Sequence, residues 1–171
     1  MFSNKVLYNL LIESFGEEFI NNYEDNYECR LLTQKFVYIF QNINDLPNYQ
    51  YSWYIAGPYS KELTNQMYNN IINADSEKYN EWNNSSFNEE GKKYIRRAKD
   101  IFQISDQECN ENNLSKADWY ELIASIYYLK EKDKIVDDNK LIDTLYLAKE
   151  KFTKEQIKFG LKKFKEKLGV G

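Results

Sequence analysis

The chain has 171 residues, 42% hydrophobic and 16% aromatic, with a formal net charge of −4. That is enough apolar material for the core of one domain spanning residues 1–171, and the acidic balance does not mark an obvious nucleic-acid binder, since phosphate contacts need clustered Lys and Arg, although the charge is uneven, with lysines concentrated from Lys149 to Lys167. Histidine is absent and only Cys29 and Cys109 carry thiols, which removes the commonest general base and the commonest zinc ligand.

Val6, Leu7, Leu10, Leu11, Phe15 and Phe19 recur at helical spacing and predict a first helix, weakened near its end by Gly16. Asn21 to Glu28 is polar and turn-like. Leu32, Phe36, Ile39, Phe40 and Ile43 mark a second helix with a wide apolar stripe. Tyr49, Tyr51, Trp53 and Ile55 then alternate with period two, the pattern of a strand with one buried face. Gly57 and Pro58 are expected to stop that strand, since Gly takes unusual backbone angles and Pro donates no ladder hydrogen bond. Ser60 is a candidate cap for a helix carrying Leu63, Met67 and Ile71.

Asn73 to Ser86 lacks periodicity and reads as a surface loop or ragged short helix. Ser86-Phe-Asn-Glu89 has the spacing of a capping box and opens a helix with Tyr94, Ile95, Ala98, Ile101 and Phe102 inward. Ser105 to Asn113 reads as a polar loop. Ser115 to Asp118 repeats the capping logic ahead of Trp119, Leu122, Ile123, Ile126 and Leu129, the cleanest amphipathic stripe and the expected central helix. A further helix is expected over roughly Asn139 to Lys149. Thr153 to Gln156 caps a last one with Ile157, Leu161, Phe164 and Leu168 inward, ended by Gly169. The fold class is mainly α, six to seven helices with a small β element, in a single domain. No apolar run reaches the length of a bilayer span and the start of the chain has no signal-peptide pattern, so a cytoplasmic protein without membrane contact is expected.

Leu32 to Tyr38 on a helix, followed by Tyr51-x-Trp53-x-x-x-Gly57-Pro-Tyr-Ser60, resembles the YwgA-like group of prokaryotic proteins. In that group a Lys-x-x-Tyr helix precedes a Trp-Tyr-x-x-Gly-Pro-Tyr-Ser segment. Trp119 to Leu129 and Phe152 to Ile157 fit the same group, so the likeness runs in order over most of the chain. A more distant likeness is to the Panacea antitoxin domain, from which Tyr59 departs, an aliphatic residue being usual there. These resemblances imply a mostly helical, helix-turn-helix-like fold and a setting among mobile elements, toxin–antitoxin, defence or counter-defence genes. They imply no established enzyme activity and transfer no catalytic residue.

Lys35 and Tyr38 lie one helical turn apart and are placed to meet the Gly57-Pro58-Tyr59 turn. Two readings stand side by side: these residues lock the strand onto the second helix, or with Trp53 they form a small polar-aromatic pocket for a ligand or peptide end. Ser60 has no base and no nucleophile elbow around it. Pairs such as Glu17-Glu18, Glu89-Glu90 and Asp137-Asp138 are sequence neighbours, which on a helix point apart. No phosphate loop or metal-ligand spacing occurs. No catalytic residue, metal or cofactor is therefore expected. The lysines from Lys149 to Lys167 read as a solvated polar face. The expectation is a non-enzymatic module that binds a protein partner. The alternative is a DNA-binding regulator in which Arg96, Arg97, Lys158, Lys162 and Lys163 form a basic stripe.

Overall fold

A computed structural model describes residues 1–169. In chain order the elements are α1 (Asn4–Phe15), α2 (Glu18–Asn22), α3 (Tyr27–Ile43), β1 (Ser52–Tyr54), β2 (Gly57–Tyr59), α4 (Lys61–Gln66) running into a π-helical turn (Met67–Ile72), α5 (Ser76–Asn83), α6 (Glu89–Phe102), α7 (Asp106–Glu111), α8 (Lys116–Glu131), α9 (Asp138–Ala148) and α10 (Lys154–Leu168). The mainly helical fold with one small antiparallel sheet agrees with the periodicities of the sequence. The short helices α2, α5 and α7 add to the six or seven long ones expected, and α7 replaces a predicted loop.

α3 and α8 pack against each other at the centre. Every residue from Leu31 to Gln41, and every residue from Glu121 to Leu129, is buried. A helix covered on all sides leaves its polar side chains no water, so each needs an internal partner. On α3, Thr33 donates to Cys29 C=O within the helix, whereas Gln34, Lys35 and Gln41 find partners in the segment that follows. The Gln41 carboxamide accepts from Tyr49 N–H and donates to Tyr49 C=O, both at 3.0 Å. Two turns earlier, the Gln34 carboxamide accepts from Ser60 N–H at 2.8 Å and donates to Ser60 C=O at 3.0 Å. Each glutamine thus pairs with the backbone as a strand neighbour would, and the segment is pinned to α3 at both ends.

Between those pins the chain forms a hairpin rather than a single strand. β1 pairs with β2 in the register Ser52↔Tyr59, Trp53↔Pro58, Tyr54↔Gly57. Gly57-Pro58 therefore begins a second strand, a correction to the expected stop. Only alternate positions of an antiparallel pair exchange hydrogen bonds, and the Pro58 carbonyl points out of the ladder to Lys35. The chain reverses at Ile55–Ala56, so Ile55, expected inward, lies at the hairpin tip and is 84% exposed.

Ser60 caps α4 through Leu63 N–H, and the boxes Ser115/Asp118 and Thr153/Gln156 are both formed. Ser86 is not a cap: Asn88 takes that place and accepts from Gly91 N–H. Gly91 suits this start, because a Cβ there would meet the Phe87 ring at 2.9 Å. Gly16 at φ 94° separates α1 from α2, which divides the predicted first helix.

Candidate functional site

The six residues singled out around the hairpin go to four different places. Lys35, Gly57 and Pro58 are buried together beneath the hairpin. Tyr38 faces the other way, its ring 4.8 Å from Tyr51 and about 6 Å from Tyr127 and Tyr128 in a polar cleft of about 340 Å³. Trp53 packs on Tyr128 at 5.5 Å. Tyr59 turns to a separate tyrosine-lined cleft. Lys35 and Tyr38 therefore share no pocket.

Beneath the hairpin lies a buried charge cluster. Lys35, 2% exposed, donates to the Pro58 carbonyl at 2.7 Å. Lys149, also buried, donates to the carbonyls of Tyr54, at 3.2 Å, and Ile55; its ammonium lies 4.8 Å from the Trp53 ring centroid. The buried Glu121 of α8 is 3.5 Å from Lys149 and 2.5 Å from Lys151, and Lys151 also meets Asp118 at 2.9 Å. Three lysines thus gather near one fully buried carboxylate. Burial, opposed by Glu121 and reinforced by the charges of Lys149 and Lys151, pushes the Lys35 amine down to about 7. Burial also lowers Lys149, with Glu121 opposing. Lys149 was expected on a solvated face. It is instead the residue that ties the junction of α9 and α10 to the hairpin tip.

Gly57 has φ +87°, and a Cβ there would lie 2.5 Å from the Ser125 hydroxyl. Two requirements, a left-handed backbone and a close approach to α8, coincide at this glycine. Lys35 and Lys149 are buried and bonded to hairpin carbonyls, while Lys151 reaches solvent, so the cluster ties the hairpin to α3, α8 and the α9–α10 junction.

What the hairpin presents outward is aromatic. A cleft of about 420 Å³ lies between it and α3, lined by Tyr23, Tyr27, Tyr54, Tyr59, Tyr68 and Arg30 among others. Tyr54 packs on Tyr59 at 5.4 Å and Tyr23 on Tyr68 at 5.7 Å. Tyr27, Tyr54 and Ile55 are exposed. A larger, more polar cleft of about 770 Å³ sits where α6, α7 and α8 meet, with Lys99, Cys109, Lys116 and Tyr120 in its wall. Burial raises the Cys109 thiol, which disfavours the nucleophilic thiolate. Both cysteines are free thiols.

α6 and α10 touch, and several of their bases are already engaged. Arg97 donates to the Asn44 side chain at 3.1 Å, Lys158 pairs with Glu155 at 3.4 Å, and Lys163 pairs with Glu108. Lys165 and Lys154 are likewise held by Asp138 and Asp143. Arg96 and Lys162 are exposed. Among the described residues no helix is long and apolar enough to cross a membrane, and no group of three or more Asp, Glu or Cys is arranged around a metal position. Compared with protein-family models, curated proteins and solved structures, the chain matches none.

Arg30, Tyr23, Gln34, Gln41, Glu121 and Lys149 were not singled out from sequence. Gln34 and Gln41 carried a usable signal: amides seven residues apart in an apolar helix need buried partners. Lys149, Glu121, Tyr23 and Arg30 acquire their roles only when distant segments meet.

Proposed function

We propose that this protein is a non-enzymatic interaction module that binds a partner protein through the aromatic surface around its hairpin. The observation that carries this reading is the tip held by Lys149, where Tyr54 and Ile55 stand exposed beside the tyrosine-lined cleft. Exposed apolar groups on a fixed element mark contact surfaces. Tyr covers area there at low entropic cost. The resemblance to YwgA-like proteins and, more distantly, to the Panacea domain supports a setting among mobile-element, toxin–antitoxin or defence genes. DNA binding through α10 ranks second, because Lys158 and Lys163 already have acidic partners.

The test is affinity capture from native lysate with the wild type and Ile55→Asp in parallel, each with and without nuclease. Ile55 is so exposed that this change should leave the melting temperature within a degree or so. A partner held by the wild type, resistant to nuclease and lost with Ile55→Asp supports the reading. Partners unaffected by the substitution, or lost on nuclease treatment, overturn it.

A further inference from the structure

The tyrosine-lined cleft holds one full charge in its wall, the Arg30 guanidinium. Arg30 makes no ion pair among the described residues. It sits 5.9 Å from the Tyr27 ring centroid, and one of its terminal nitrogens donates to the carbonyls of Tyr23, at 3.3 Å, and Glu24, at 2.6 Å. Those bonds orient the guanidinium and leave other N–H donors free.

A second observation is independent of Arg30. Tyr23 is 1% exposed and lines the same cleft; no described residue hydrogen-bonds its hydroxyl, which is not among the fully buried unpartnered oxygens and so is not wholly closed off. Burial, with Tyr68 and Tyr59 nearby, holds this phenol well above its ordinary value, with Arg30 in opposition. It stays protonated at neutral pH, so its O–H can donate to an acceptor in the cleft. A guanidinium and an unpartnered phenol in one apolar cleft lack the same thing, an oxyanion.

The flanking sequence limits how much negative charge is welcome. Glu24, Asp25 and Glu28, all exposed, adjoin the lining residues in the chain and disfavour a polyanion such as nucleic acid. The remaining wall is aromatic, so the ligand needs an apolar body beside its single anionic group. A C-terminal residue with an apolar side chain supplies both at once, its α-carboxylate one bond from the carbon bearing the side chain. Capture of a terminal carboxylate is an established mode of peptide recognition.

We infer that the cleft between the hairpin and α3 binds the C-terminal residue of the partner chain, an apolar or aromatic residue whose free carboxylate is received by Arg30 and the Tyr23 hydroxyl. This rests on the protein-binding reading above and names the chemistry of the partner at that site.

The probe is an N-acetylated tetrapeptide ending in phenylalanine, as the free acid and as the C-terminal amide, titrated against the full chain by calorimetry and by amide chemical shifts. The free acid should bind and shift resonances of residues 23–34 and 54–68. The amide should bind roughly tenfold more weakly or worse, the usual scale for losing a charge-assisted hydrogen bond. Tyr23→Phe, which removes only the hydroxyl, and Arg30→Gln should each weaken the free acid similarly, and a melting curve for each variant establishes that it folds. Equal binding of acid and amide, no binding of either, or indifference to Tyr23→Phe overturns the inference. A captured partner that depends on Ile55 but is not displaced by the free acid would overturn this inference while leaving the protein-binding reading in place.

Discussion

Gly57 shows how much one residue can fix. Its φ of +87° lies where a side chain is strained, and α8 approaches so closely that a Cβ would press on the Ser125 hydroxyl at 2.5 Å. The two costs are separable. Gly57→Ala should destabilise by about 2–4 kcal/mol, combining roughly 1 kcal/mol of left-handed strain with an overpacking cost. Ser125 has no hydrogen-bond partner for its buried hydroxyl, so Ser125→Ala alone should be near neutral or slightly stabilising. The double variant should recover the clash but retain the strain. Urea denaturation of the four proteins checks this: additive effects of the two substitutions would mean the hydroxyl and the hairpin do not press on each other.

At the scale of elements, the clamp from α3 explains both what was legible in the sequence and what was not. The helices and the caps at Ser60, Ser115 and Thr153 were readable because their causes are local, an apolar period and an oxygen within three residues of a free N–H. The candidate box at Ser86 failed for an equally local reason, since Asn88 competes as a cap and the sequence pattern does not rank the two. The alternation from Tyr49 to Ile55 predicted β structure and over-extended it. A glutamine side chain, not a neighbouring strand, satisfies Tyr49, and the chain turns back where a longer strand would have buried Ile55. Of the site, Lys35 and Gly57-Pro58 were legible as a unit, whereas Lys149, 94 residues from its carbonyl partner Ile55, was not, because it lies within a lysine run that pattern alone reads as solvated. If the glutamine clamp is what substitutes for a strand, Gln41→Leu should cost about 1–3 kcal/mol by leaving the Tyr49 N–H and C=O buried and unpaired. Hydrogen exchange of the Tyr49 amide should quicken more than that of α10 amides. Uniform quickening would mean that Gln41 acts only through global stability.

For the molecule as a whole, the cluster under the hairpin makes stability depend on pH in an unusual direction. Lys35 is held down to about 7 in the fold against 10.5 unperturbed, and Lys149 is lowered too. Between those two values the unfolded chain binds a proton at Lys35 that the native protein does not, so acidification favours unfolding and stability rises with pH. One full proton of difference gives a slope of at most about 1.4 kcal/mol per pH unit. Below about pH 7 both states are protonated, and the Lys35 contribution to the slope vanishes with its cost fully present. Near pH 10 the sign reverses. The buried phenols of Tyr23, Tyr51 and Tyr120 are raised well above their ordinary value by burial, so the unfolded chain loses phenolic protons first and stability falls as pH climbs. The folded state should therefore be most stable near about pH 9, above the range usual for globular proteins. Urea midpoints for the wild type and Lys35→Met between about pH 6.5 and 9.5 test this. The wild-type midpoint should climb across that window. The variant should climb less, retaining only the share from Lys149, which packs against the same Glu121 from the far end of the chain. Parallel slopes for the two proteins would mean that Lys35 keeps its proton in the fold, and that the charge of this cluster is balanced by something other than the loss of that proton.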